Sequence, residues 1–116
     1  MPEIRDNPAR TIYTDLVIAD GETKSEALEC KGTILAGILI PTGFDGTIVS
    51  FEESFDKGVT YLPIRDASGA LITMAVTAGS IYRIAPSDFS STTFFKIVSG
   101  TAQTVDTTLR VATKAY

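Results

Sequence analysis

Clusters of turn-forming residues break the middle of this chain about every 10–13 residues, at Gly43-Phe44-Asp45-Gly46, Asp56-Lys57-Gly58, Asp66-Ala67-Ser68-Gly69 and Ala78-Gly79-Ser80, and another follows at Ser99-Gly100-Thr101. That rhythm belongs to a sandwich or barrel of short strands. Between the turns the hydrophobic period is two. Ala70, Ile72, Met74 and Val76 alternate with Leu71, Thr73, Ala75 and Thr77, and Leu109 and Val111 alternate with Arg110 and Ala112. Val49, Phe51 and Phe55 likewise alternate with Ser50, Glu52 and Ser54, so each set is expected to face the core. Val, Ile and Thr make up 35 of 116 residues, and such β-branched side chains suit a pleated surface better than a helix. Only Gly21–Cys30 has any helical character, and a short strand is the favoured reading there as well.

Ile34-Leu35-Ala36-Gly37-Ile38-Leu39-Ile40 is apolar on both faces, which places it centrally with both sides covered. Gly37 marks a bulge or a close neighbour, and Pro41 ends the ladder by removing a donor. Strands are expected near 11–18, 25–30, 33–40, 46–54, 59–65, 70–77, 80–85, 93–99 and 107–115. Residues 1–10 contain Pro2 and Pro8 and show no period, so they read as an extended arm ahead of a single domain over 11–116.

At 12.4 kDa, with 44% hydrophobic and 21% charged residues, the chain has the composition of one globular core that needs neither metal nor disulfide. Its longest apolar run, Ile34–Ile40, is far short of the roughly 20 residues that span a bilayer. The mixed-charge start has no apolar signal segment, so synthesis in a cytoplasm is the expectation. The net charge of −4 and pI near 4.6 argue against a nucleic-acid partner. All of the imbalance sits in residues 1–30, which carry seven acids and three bases. The strip Asp20, Glu22, Glu26 and Glu29 is either a solvated edge or a dock for a basic surface.

Without histidine, no imidazole base and no Ser-His-Asp or Cys-His arrangement can be built. Cys30, beside Glu29, reads as an inert thiol because a neighbouring carboxylate disfavours the thiolate. Asp45, Asp56 and Asp66 stand where turns need carboxylates for their own backbone, and Glu52 and Glu53 point to opposite faces of a strand. Among the candidates Asp45, Glu52, Glu53, Asp56 and Asp66, Glu52 and Asp66 could share a cleft if their strands pair, as a sandwich glycosidase would require. No dedicated calcium loop or phosphate loop is present, so no metal or cofactor is expected. Tyr61, Tyr82, Phe94 and Phe95 could supply a sugar-binding platform. Phe94 and Phe95 are adjacent in a strand and cannot both face one core, so one of them is exposed, under a loop or in a partner interface.

Several segments in order carry a family resemblance. They are Ala36-Gly37-Ile38-Leu39-Ile40-Pro41-Thr42; Thr47 to Ser54 followed by Asp56-Lys57-Gly58; Asp66-Ala67-Ser68-Gly69; Ile84-Ala85-Pro86-Ser87-Asp88-Phe89; and Phe95 to Thr101 leading to Thr108-Leu109-Arg110-Val111. Together they resemble the small β-sandwich decoration, or cement, proteins of tailed bacteriophage capsids. The resemblance implies an all-β, two-sheet antiparallel sandwich of jelly-roll type. It also implies a non-enzymatic virion protein on the capsid exterior that bridges major capsid subunits against internal pressure. Self-association as a homodimer is expected first and a trimer second. The expected contacts are the arm residues Ile4, Arg5, Pro8 and Arg10, the acidic strip Asp20, Glu22, Glu26 and Glu29, and the Phe94/Phe95 pair. A carbohydrate-binding or adhesive module of a phage fibre is the alternative, and a small sandwich hydrolase a distant third.

Overall fold

In a computed structural model, which describes residues 11–85, 89 and 92–115, nine strands form two antiparallel sheets that pack face to face. The strands are β1 (Thr11–Ile18), β2 (Leu28–Glu29), β3 (Thr33–Ile40), β4 (Ile48–Ser54), β5 (Leu62–Pro63), β6 (Thr73–Ala75), β7 (Ser80–Arg83), β8 (Phe94–Ser99) and β9 (Thr107–Ala115). The first sheet has the order β1-β9-β3-β7. The second has the order β2-β8-β4-β5, with β6 also paired to β4. No helix occurs among the described residues. The all-β sandwich expected from the alternation is therefore the observed fold.

The expected strands over 25–30, 59–65 and 70–77 are shorter than their sequence pattern, for two physical reasons. Over 25–30 only Leu28–Glu29 forms ladder, because Lys24 and Ser25 are used differently. Ser25 bridges to Ile18 in the first sheet, and Lys24 bridges to Val98 in the second, so this segment closes one side of the sandwich. Over 59–77, β5 and β6 are one strand opposite β4 interrupted by a hairpin. Glu53 pairs with Leu62 and Glu52 with Pro63, then Ser50 pairs with Thr73 and Val49 with Met74. The chain leaves after Ile64, turns at Asp66–Gly69 and returns at Ile72, whose N–H donates to the Ile64 carbonyl at 3.0 Å.

Leu16, Ile18, Leu35, Ile38, Ile40, Leu109 and Val111 from the first sheet interdigitate with Val49, Phe51, Phe95 and Ile97 from the second. Burying each such side chain contributes about 1.5–3 kcal/mol. Phe89 closes on Phe51 edge to face, with ring centroids 4.9 Å apart. Gly37 meets both of its sequence expectations: the β3–β9 register slips between Leu35 and Gly37, and a Cβ there would lie 3.3 Å from the Tyr82 carbonyl oxygen.

Three expectations about facing need correction. Phe55 is not in the core but 94% exposed, because β4 ends at Ser54 and the loop beyond it turns outward. Phe95 cannot be a contact residue, since it is wholly buried between the sheets. β3 is interior in its sheet, yet its outer face is not covered: Leu39 is exposed there, and Ile34 and Ala36 are half-buried.

Candidate docking surface

The outer face of the first sheet is ordered in cross-strand ranks. The register aligns Asp15, Arg110, Leu39 and Ile81 in one row, and Tyr13, Ala112, Gly37 and Arg83 in the next. Small residues at the middle of the second row lower the floor between the two ends, and the result is a trough of about 390 Å³. Tyr13 stands 67% exposed at one end and Ile81 72% exposed at the opposite edge strand. In β3 the alternation that sends Ile38 and Ile40 inward sends Leu39 outward, which is why a strand apolar on both faces leaves oil in water here.

Charge is segregated onto the same face. Arg83, Arg110 and Lys114 occupy outward positions with Asp15 as the sole acid, whereas the other described residues carry ten acids against five bases. Asp15 accepts from Arg110 Nε at 2.7 Å and from Nη2 at 3.3 Å, a forked contact that holds the Asp15 carboxyl below the usual carboxylate range. An apolar trough rimmed by guanidinium and ammonium groups is suited to an extended or flat partner surface that carries carboxylates.

The outer face of the second sheet is roofed by the chain itself around Glu52 and Phe94, while its far end at Ile48, Thr73 and Ala75 is exposed. Glu52 points outward from β4, but its side chain is only 9% exposed, with Oε2 accepting from Lys24 Nζ at 3.0 Å and Oε1 buried with no partner among the described residues. The turn at Asp56–Gly58 lies over Phe94: a Cβ on Gly58 would come within 3.5 Å of the Phe94 ring and 3.4 Å of the Tyr61 hydroxyl. Tyr61 in turn has the Lys96 ammonium 4.6 Å from its ring centroid. Of the readings of the Phe94/Phe95 pair, loop cover is therefore the arrangement present at Phe94.

The structure scatters the remaining sequence candidates. Asp20, Glu22 and Glu26 are exposed along the segment that joins β1 to β2, and Glu29 is exposed in β2 itself. Within that strip Glu26 has a local task, its Oε1 accepting the Val17 N–H at 3.1 Å, and Glu29 lies 3.8 Å from Lys31. Ile4, Arg5, Pro8 and Arg10 lie outside the described residues. The four aromatic residues proposed for a sugar platform do not form one. Phe95 is core, Phe94 is under its loop, Tyr61 has its face taken, and the Tyr82 hydroxyl accepts the Thr77 N–H at 2.7 Å.

The turn carboxylates do what their spacing suggested. Asp66 Oδ1 accepts from the N–H groups of Ser68 and Ala70. Asp56 Oδ1 accepts from the Ser54 hydroxyl and the Thr60 N–H, which holds its pKa down to about 2. Asp45 reaches further and takes both the N–H and hydroxyl of Thr104, 59 residues away. Glu52 and Asp66 share no cleft, since Glu52 is roofed and Asp66 is bound into its own turn. Cys30 is buried, and burial followed by the nearby Glu53 charge pushes its thiol up to about 11.

Sequence reasoning missed Gln103, the polar hub of one end of the sandwich. Its Nε2 donates to the Asp45 carbonyl at 2.9 Å, the Ser99 hydroxyl at 3.1 Å and the Thr101 carbonyl at 3.1 Å. Its Oε1 accepts from the Asp45 N–H and the Thr107 hydroxyl. A lone glutamine between Ala102 and Thr104 gives no signal of this in the sequence.

Comparison with protein families, curated proteins and solved structures finds no match to this chain.

Proposed function

We propose that this chain is a non-enzymatic structural protein of a phage virion that decorates the capsid exterior and stabilises it by bridging major capsid subunits. The single observation that carries the reading is the outer face of the β1-β9-β3-β7 sheet. There Tyr13, Leu39 and Ile81 are left in water beside Arg83, Arg110 and Lys114, on an otherwise acidic molecule. A rigid sandwich loses little conformational freedom when it docks, so modest contacts are retained as affinity. Many copies on one lattice then add strength by avidity. The alternation of the chain between the two sheets supports taking the sandwich as a jelly roll, the architecture that the resemblance implies. The self-association expected with this role is a homodimer.

The test is co-sedimentation of the purified protein with expanded capsids, together with their rupture temperature. Decoration predicts that the protein pellets with capsids and raises that temperature, and that removing residues 1–10 weakens binding while the fold survives. Failure to pellet at any salt concentration, or a glycan array with clear hits that are lost on Tyr61→Ala or Tyr82→Ala, would replace this reading with the adhesive one.

A further inference from the structure

The outer edge of β1 is an eight-residue strand that, among the described residues, no other segment pairs with over Thr11–Asp15. Natural edges are commonly blunted by lysine, proline or a bulge. β1 has none of these, and its one charge, Asp15, is held by Arg110 on the sheet face. The position of Val17 shows which backbone groups point outward. Its carbonyl accepts from the Glu26 N–H and its own N–H donates to Glu26 Oε1, so Val17 faces away from β9. Alternate residues of an antiparallel strand face alternate edges, so Thr11, Tyr13 and Asp15 also present their N–H and C=O groups to the open edge.

We infer that two copies of this chain join edge to edge through β1, antiparallel about a two-fold axis at Tyr13, merging their four-stranded sheets into one of eight strands. An antiparallel pair keeps each sheet face continuous only if paired residues share parity, so the axis must pass through a residue position. With the axis at Tyr13, Tyr13 pairs with the partner's Tyr13, and Thr11 pairs with the partner's Asp15. Every outward group of Thr11, Tyr13 and Asp15 in both copies then has a partner, giving six backbone hydrogen bonds. Moving the axis to Thr14 would set Thr11 against Val17, whose groups Glu26 already occupies. The same register places Ile12 beside the partner's Thr14 on the inner face. Ile12 occupies an inward position, continuous with buried Leu16 and Ile18, and is 46% exposed at the edge. A second sheet edge is the occupant that covers this side chain. The two outer troughs become neighbours on one surface, with the Tyr13 rings meeting across the axis. This deepens the self-association in the function proposed above, and its assay is independent of any capsid.

The full-length chain is tested by its mass in solution and by cross-linking. Light scattering or native mass spectrometry is expected to give a dimer. Tyr13→Pro removes the donor on the axis in both copies, and should weaken the dimer about 30-fold, the equivalent of two net hydrogen bonds, with the circular dichroism of the fold retained. Tyr13→Cys keeps the fold whatever proline does. Hydrogen-bonded antiparallel partners have Cα atoms about 5.5 Å apart, within disulfide reach, so mild oxidation should give a covalent dimer. Ile81→Cys, on the far edge strand, should not cross-link, and buried Cys30 stays silent. A monomer or trimer in solution, a Tyr13→Cys protein that does not cross-link, or equal cross-linking from Ile81→Cys would overturn the inference.

Discussion

The two outer faces of this sandwich present opposite solutions to the same problem. The face of the second sheet carries a carboxylate, Glu52, and an aromatic ring, Phe94, and the chain folds its own Lys24, Asp56–Gly58 turn and Tyr61 over them. The face of the first sheet carries Tyr13, Leu39 and Ile81, and the described residues fold nothing over them. The roof comes from two connections, the segment after β1 that carries Lys24 and the loop between β4 and β5 that carries Asp56–Gly58 and Tyr61, and both fold onto the second sheet and away from the first. A roofed face contributes to stability and a bare one is available for recognition.

If the roofed half and the shared end of the sandwich hold the molecule together, substitutions there should dominate the stability profile. Gln103→Leu should cost about 3 kcal/mol in chemical denaturation, because it strands the Asp45 N–H and leaves the Thr107 hydroxyl and the Asp45 and Thr101 carbonyls with one partner each, Val105 for the first and the Ser99 hydroxyl for the other two. The two ion pairs sharpen the contrast. Lys24→Met leaves the buried Glu52 carboxylate without its ion-pair partner among the described residues and should cost about 2 kcal/mol, less than for a fully buried pair because Lys24 itself is half exposed. Arg110→Met on the bare face breaks an ion pair in water, and its melting temperature should stay at the wild-type value.

Acid separates the turns from the sheet faces. Asp56 is held at about 2, and Asp15, Asp45 and Asp66 also lie below the ordinary range through hydrogen bonds to their charged forms. Depressed folded-state values mean that this stabilisation is complete above the unfolded pKa near 4 and is lost as the pH falls towards 2. Melting temperature should therefore drop across that window, and Asp56→Asn should make the drop shallower than Asp15→Asn does. A small effect of opposite sign is expected at Lys57, a non-glycine residue with φ of 60°. Lys57→Gly should stabilise the roof turn by about 0.5–1 kcal/mol, as the relief of left-handed strain exceeds the entropy that glycine loses.

Most of the fold was legible because it is written locally. Alternation such as Val49/Phe51 and Leu109/Val111 states which side chains go inward, and Asp-containing turns fix the ends of strands. What alternation cannot state is where a strand stops and what lies over its outer face. Phe55 continues the phase of Val49 and Phe51, but the hydrogen bonds of Ser54 and Asp56 end the strand before it. Phe94 and Phe95 gave a correct warning that one ring must leave the core, but the loop that covers it comes from 36 residues earlier in the chain. The candidate surface was hidden for the same reason. Tyr13, Leu39, Ile81 and Arg83 come from three separate strands, and only the pairing register sets them in adjacent rows. The double-sided hydrophobicity of β3 was the one signal of it, and it reads equally well as a fully covered strand.

The most direct test of the claim that the bare face is the working surface is capsid co-sedimentation of the Ile81→Asp, Arg83→Glu double variant beside the wild type at low salt. Both substituted side chains point to solvent from the edge strand β7, so thermal unfolding should be unchanged, while capsid binding should fall at least about 100-fold. Binding at wild-type strength with a bare face of reversed charge would contradict the account.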